Sequence, residues 1–315
     1  MMGLFEFAPV CVIVVLLLLL SLTRASVDTP QKATGASMPE KIKEMFSDHG
    51  DFDVLCMLEK CFTEAVSCVT DQRCRDAIVC DKKCMDEWDS DTTKGKFHIQ
   101  NCSNICAWTY VDNVYQIFLR CITSNQCLKF PPIANTCRAP NIHPLKQLSV
   151  KDLEGDWWVV KGLHPVYDCY PCQKIYFRAI NETTWNYSSY YQVYLANGSL
   201  SLAYLQAMVS TNIPGSNMSF AYDDIGMKHY ETWWLIDKAD DSSYILLYYC
   251  GHTLQWNYEG AQVLARNTTL DEATYTHIAN SYEQAVRLNI TEFSCNTGTQ
   301  NCPESHAIAI PKGQL

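Results

Sequence analysis

The chain has 315 residues, 48% of them hydrophobic and 18% charged, enough apolar material for one or two packed domains and too much for a disordered polypeptide. Lys and Arg number 24 against 34 Asp and Glu, a formal charge of -10, and no basic run exceeds Lys82-Lys83, so no nucleic-acid partner is expected. Its 17 cysteines would be a liability in a reducing cytosol.

An apolar stretch from Val10 to Leu22 is followed by Thr23 and Ala25, which fill the small-residue positions of a signal peptidase site before Ser26. Residues 1–25 read as a cleaved signal peptide; the n-region has Glu6 as its one charge, and an uncleaved anchor is the alternative. Removing Cys11 with this segment leaves an even number of cysteines, which can pair completely. Residues 26–50 read as a flexible leader, and no later stretch is suited to spanning a membrane. Glycosylation sequons begin at Asn101, Asn181, Asn186, Asn197, Asn217, Asn267 and Asn289, which suits passage through a secretory lumen.

Residues 51–138 read as a cysteine-rich helical domain. Cys80 and Cys84 lie four residues apart, as do Cys102 and Cys106, so each pair occupies one helix face. Antiparallel packing of the two helices predicts Cys80–Cys106 and Cys84–Cys102. The same nesting predicts Cys56–Cys74 and Cys61–Cys68, with Cys121–Cys127 closing a short loop, although spacing alone proves none of these pairings. A metal cluster would favour tighter Cys-x2-Cys spacing, so no metal is expected.

Residues 139–150 read as a linker, and 151–296 as a barrel ending in a helix, before a tail over 297–315. Gly155-Asp156-Trp157 opens a first strand. Aromatic and β-branched runs follow at Lys174–Phe177, Tyr190–Leu195, Ser201–Val209, Thr232–Ile236, Tyr244–Tyr249 and Ala261–Ala265, with turns at Asn197-Gly198 and Pro214-Gly215. This is the pattern of an up-and-down antiparallel barrel, a mainly β fold. Asp271 to Asn289 carries an apolar stripe of Tyr275, Ile278, Tyr282, Ala285 and Val286, the signature of a helix packed on the barrel's outside.

Gly-x-Trp at the head of a strand meander, with a late helix, resembles the lipocalin fold. The cysteines at 56, 61, 68, 74, 80, 84, 102, 106, 121 and 127 are spaced like the cysteine-rich domain of violaxanthin de-epoxidases, departing clearly only between Cys84 and Cys102. Gly162-Leu163-His164-Pro165 with Asp168 and Cys172-Gln173, His229-Tyr230, Trp234, Tyr248-Tyr249 and Trp256 extend the resemblance over roughly residues 54–296. The resemblance implies a Cys172–Cys295 bridge, leaving Cys137, Cys169, Cys250 and Cys302 for two additional ones.

The resemblance further implies a dimeric barrel that holds a long carotenoid, protonates its epoxide from an acidic residue and takes reducing equivalents from ascorbate, with no bound cofactor. Aligned through His229-Tyr230 and Trp234, the family's acid falls on Thr232 and a functional tyrosine on Leu264, while Tyr249 is retained. Glu231 is adjacent to the acid position, but strand neighbours point to opposite faces. Glu231, Asp168 and Tyr249 are the candidate catalytic residues, and Asp168 is the more expected as a solvated loop residue. Trp157, Tyr230, Thr232, Trp234, Tyr249, Trp256 and Leu264 are the expected ligand contacts. His164 and His229 are candidates for acid-triggered opening.

Two functions follow: a lipocalin that binds an apolar carotenoid or isoprenoid without catalysis, favoured by Thr232, or an active ascorbate-dependent de-epoxidase. Membrane-surface association and a homodimer stay open. The leader favours secretion, with the plastid lumen as the alternative; the glutamate-rich C-terminal tail of plant members is not found before Leu315.

Overall fold

The computed structural model describes residues 36–47, 52–88, 93–129, 140, 150–164, 166–211, 217–253, 257–286, 295–296 and 302. The elements below all belong to one unit, Met38–Leu315. The signal peptide expected from the sequence lies outside the described residues, and the reading of 26–50 as a flexible leader is corrected over Met38–Ser47, a helix whose Ile42 and Phe46 are buried. Among the described residues, no helix is long and apolar enough to cross a membrane.

Among the described residues, six helices form the module ahead of the barrel: α1 (Met38–Ser47), α2 (Val54–Lys60), α3 (Phe62–Thr70), α4 (Gln72–Glu87), α5 (Thr93–Tyr110) and α6 (Asn113–Ser124). Three start on an aspartate. Asp53, Asp71 and Asp112 accept from the backbone N–H of Cys56, Cys74 and Tyr115 at 3.0, 2.8 and 2.8 Å, satisfying donors the helix cannot. Phe46, Met57, Phe118 and Ile122 form the buried centre of the bundle.

Cys80–Cys106 and Cys84–Cys102 form the nested ladder between α4 and α5 that their spacing predicts. The remaining pairs differ. Cys56 bonds Cys127, Cys61 bonds Cys121 and Cys68 bonds Cys74, in place of Cys56–Cys74, Cys61–Cys68 and Cys121–Cys127. The cause is α6, which returns along α2 and α3. Asp53 N donates to Cys127 O at 2.8 Å and Phe52 bridges Leu128, which brings the far cysteines home. Cys68 and Cys74 then meet across the short junction capped by Asp71.

Beyond a single-turn helix, α7 (Val150–Leu153), eight antiparallel strands close a barrel: β1 (Gly155–Gly162), β2 (Lys174–Ala179), β3 (Thr184–Tyr194), β4 (Leu200–Thr211), β5 (Asn217–Asp224), β6 (Met227–Lys238), β7 (Tyr244–His252) and β8 (Asn257–Ala265). β1 pairs with both β2 and β8, which closes the ring, and a two-residue β9 (Cys295–Asn296) adds to the end of β1. Because β9 lays Cys295 beside Gly162, the partner of Cys172 is Cys302 and not Cys295. Cys169 and Cys250 are also disulfide-bonded. β5 is an element the sequence reading lacked, since only Met218, Phe220 and Tyr222 alternate with small and polar residues there. The expected turn at Pro214-Gly215 lies outside the described residues.

One end of the barrel is plugged. Trp157 is fully buried, its indole donates to Leu153 O at 2.6 Å, and the Arg266 guanidinium lies 3.5 Å over its ring while donating to the carbonyls of Asp156 and Glu154. The other end lies under α5. Gln100 and Asn104 donate to the hydroxyls of Tyr167 and Tyr170 at 2.8 and 2.9 Å, and Trp108 meets Tyr191 edge-on.

The late helix, α8 (Glu272–Val286), packs outside the barrel through Ile278, Tyr282 and Ala285 against Tyr244, Leu246 and Tyr248. The two faces of this wall therefore carry separate apolar clusters.

Loop length orders the disulfides by importance. Cys61–Cys121 spans 60 residues and Cys68–Cys74 only 6, so the chain-entropy relation assigns them about 4 and about 2 kcal/mol. Paired alanine substitutions, compared by urea unfolding, should cost about twice as much at 61 and 121 as at 68 and 74. Equal costs would show that entropy of the unfolded loop does not govern these bridges.

Candidate functional site

β6 builds the site by alternation. His229, Glu231, Trp233 and Leu235 are buried, while Tyr230, Thr232 and Trp234 lie half-buried on the other face. Trp233 and Leu235 belong to the interior cluster, whereas Trp234 packs with Tyr248 beneath α8 and Tyr230 stacks on His252. The expected inward placement of Tyr230, Thr232 and Trp234 is therefore corrected. A one-residue difference in register exchanges the two faces, and here it turns Glu231 into the barrel.

The Glu231 carboxylate is satisfied by three donors. Tyr222 and Tyr258 hydroxyls reach Oε1 at 2.6 and 2.7 Å, and the Trp233 indole reaches Oε2 at 2.6 Å. Burial raises its pKa, and these hydrogen bonds only partly oppose the shift.

Asp168 is fully buried, which overturns its reading as a solvated loop residue. The loop after β1 turns back on itself, with Asp168 N donating to His164 O at 2.8 Å and His164 N donating to Asp168 Oδ2 at 2.9 Å. Tyr249 and Gln262 each donate to Oδ1 at 2.8 Å. Two glycines make room for this cluster. A Cβ on Gly162 would come within 2.2 Å of Asp168 Cβ, and one on Gly260 within 2.3 Å of the Tyr249 hydroxyl. The Asp168 carboxyl is pushed up to about 7, because burial outweighs its three hydrogen bonds and the charge of Glu231 adds to the effect.

Glu231, Tyr249, Gln262 and His229 line a cavity of about 60 Å³, together with Tyr258 and Asp224. Asp224, absent from the sequence-derived candidates, is a third carboxyl raised to about 7, chiefly by burial. His229 and His164 are pulled down to about 4 by burial, so both rings are neutral in mildly acidic solution. A volume of this size admits a few water-sized groups and falls well short of a pocket for a long ligand. Trp157 and Leu264 are interior but belong to the packed cluster and do not line the cavity, and Trp256 lies outside the described residues. Sequence reasoning lacked Gln262 and Tyr258, and their alternation with Ala261, Val263 and Tyr258's neighbour Glu259 along β8 was the available signal.

Comparison with known proteins agrees with this architecture. The VDE lipocalin domain profile matches residues 53–298. The chain belongs to that family. Curated relatives include the chloroplastic violaxanthin de-epoxidases of Arabidopsis thaliana, 24% identical over 259 residues, and of Nicotiana tabacum, 21% identical over 244 residues. These matches cover 78% and 74% of this chain but 52% and 48% of the relatives, so the chain spans about half the length of the curated proteins it matches. Among solved structures, lobster apocrustacyanin A1 is 14% identical with a TM-score of 0.40, over 50% of this chain and 83% of that one. The siderocalin Ex-FABP is 10% identical with a TM-score of 0.35, over 45% and 91% respectively.

The sign of the Asp168 shift fixes a pH dependence. Its folded-state pKa of about 7 exceeds the ordinary 3.8, so the stability it contributes is fully present below the ordinary value and is lost as pH rises through about 7. His164 and His229 act oppositely between about 4 and 6.5, so the wild-type profile alone is ambiguous. The difference between wild type and Asp168→Asn isolates the carboxyl, whatever constant cost the substitution carries. Urea unfolding should show wild type losing a few kcal/mol relative to the variant between about pH 4.5 and about pH 8. A pH-independent difference would mean that Asp168 ionises as it does in water.

Proposed function

We propose that this chain reductively opens epoxides on a long apolar terpenoid of the carotenoid class, with Glu231 as the proton donor. The observation that carries the reading is the β6 register, which puts a desolvated carboxyl on the cavity wall where the alignment had suggested Thr232. A carboxyl with raised pKa keeps its proton in mild acid and can pass it to an oxirane oxygen. Asp168 holds the Tyr249 hydroxyl and Gln262 amide beside it. An enediol reductant such as ascorbate supplies the electron pair. Both C–O bonds break, a C=C bond forms, the oxygen leaves as water with two protons, and the enediol becomes a diketone. The activity named for the relatives supports the reading.

The interior as folded is too small for a long pigment, so entry at the mouth requires the tyrosines under α5 to move. The test incubates oxidised protein with violaxanthin and ascorbate from neutral to mildly acidic pH and separates the pigments. Antheraxanthin and zeaxanthin should appear, increasingly as the solution is acidified, and Glu231→Gln should lower the rate by roughly a hundredfold or more. Saturable quenching of tryptophan fluorescence without conversion would establish a carrier instead.

The disulfides are consistent with an oxidising compartment, and we assign the chain to the secretory route. Asn101, Asn181, Asn197 and Asn267 are exposed, while Asn186 and Asn217 are half-buried, and Asn289 lies outside the described residues. Mass spectrometry of protein from its native source should find glycans on the exposed four. A sugar-free protein would favour a plastid lumen.

A further inference from the structure

Neither β3 nor β4 carries a charged side chain between Thr184 and Tyr194 or between Leu200 and Thr211. Tyr187 and Tyr191 of β3, with Ala203 and Ala207 of β4, face the interior, so alternation turns Tyr194, Leu200, Leu202, Tyr204 and Met208 outward, where they are 40 to 62% exposed. α8 covers the corresponding outer face of β6 and β7. An uncharged aromatic and aliphatic sheet face without such a cover invites self-association.

The hairpin that joins these two strands carries its own modification signal. Leu195 N donates to Ser199 O at 2.9 Å and Gly198 N to Leu195 O at 2.8 Å, with Gly198 at a φ of 78°, so Asn197 sits at the tip of a tight turn. Tyr194 and Leu200 form the cross-strand pair directly beneath it, three residues to either side. Asn197 Oδ1 accepts from Ser199 N and Ser199 Oγ at 2.9 and 2.7 Å. Both bonds use the oxygen, and neither uses the amide nitrogen to which a sugar is attached.

The surroundings of the tip leave room for one. A Cβ on Gly198 would meet nothing within 4 Å, while Ala196 N donates to Thr109 Oγ1 of α5 at 2.8 Å and fixes the base of the turn. A second sequon, at Asn186, lies on the same outer face directly opposite Met208. Pyranose chemistry suits this surface, because one face of the ring presents C–H groups that stack on an aromatic ring and its rim presents hydroxyls to water.

We propose that the Asn197 glycan is a structural cover for this face, its first sugar stacked on the Tyr194 ring and lying over Leu200 and Leu202. The proposal rests on the secretory assignment and deepens it. Attachment joins Asn197 Nδ2 to the anomeric carbon of an oligosaccharide carried on a lipid diphosphate. The bond from that carbon to the diphosphate oxygen breaks, the amide loses one proton, and the lipid diphosphate leaves. The attached sugar then supplies the solvation that the uncharged strands lack.

The experiment compares the full oxidised chain, secreted from a eukaryotic host, with Asn197→Gln, Tyr194→Thr and the double variant by urea unfolding. Loss of the glycan should raise the unfolding equilibrium constant about threefold to tenfold, the size of one aromatic contact, and should have no effect once Tyr194 is gone. Asn267→Gln, at a sequon without an exposed aromatic neighbour, should change nothing. Should a variant fail to fold, trimming the wild-type glycans enzymatically to the first sugar should leave the unfolding midpoint unchanged, and complete removal should lower it and promote concentration-dependent association.

An equal effect of glycan removal with and without Tyr194, or a midpoint that falls on trimming to the first sugar, would overturn the stacked cover. Mass spectrometry of protein from its native source separates this proposal from the reading beneath it. A bare Asn197 beside sugars at Asn181 and Asn267 would refute the cover and leave the secretory assignment standing, whereas a chain bare at every sequon would refute both.

Discussion

The period of two along β6 is the constraint on which the site depends. Once Trp233 and Leu235 fill the barrel interior and Trp234 takes its place under α8, Glu231 has no choice of side. A carboxylate so placed is tolerated only when its lone pairs are met, and Tyr222, Tyr258 and Trp233 meet them. The same packing that supplies these donors removes water, which raises the pKa. Hydrogen bonding and desolvation thus act against each other on one group, and desolvation is the larger.

The blurred parity of this wall explains what was hard to read. An exposed outer face would have produced clean alternation of apolar and polar residues, but α8 covers it, so Trp233-Trp234 and Tyr248-Tyr249 are apolar on both sides. The barrel and its outer helix were legible because they required only periodicity. Facing was not, since it turns on a single residue of register. Asp168 shows a further limit: its partners, Tyr249 and Gln262, lie 81 and 94 residues away, and no local pattern announces them.

Cysteines divide along the same line. Cys80, Cys84, Cys102 and Cys106 carry an i, i+4 signature that survives any arrangement of the other helices. Cys56, Cys61, Cys121 and Cys127 also nest, but between segments some sixty to seventy residues apart, separations of 71 and 60. Their pairing is a property of how α6 packs. Cys80–Cys106 and Cys84–Cys102 tie α5 to α4, and the hydroxyls that α5 holds, on Tyr167 and Tyr170, belong to cavity-lining residues. Disulfide order in the helical module is therefore transmitted to the mouth of the barrel.

Closure of that mouth and protonation of the interior are linked by the same free energy. Asp168, Glu231 and Asp224 resist ionisation because they are dry, so their protonation must in turn favour the dry, covered arrangement over any opened and hydrated one. His164 and His229 oppose this, since each is held neutral by burial and would gain a proton on hydration in mild acid. The groups titrate over adjoining ranges: the carboxyls at 168 and 224 change near 7 and the histidines gain protons in an opened state below about 6.5. Acidification from neutrality therefore first favours the covered, protonated interior, and below about 6.5 the two histidines offset that gain against the carboxyls at 168 and 224.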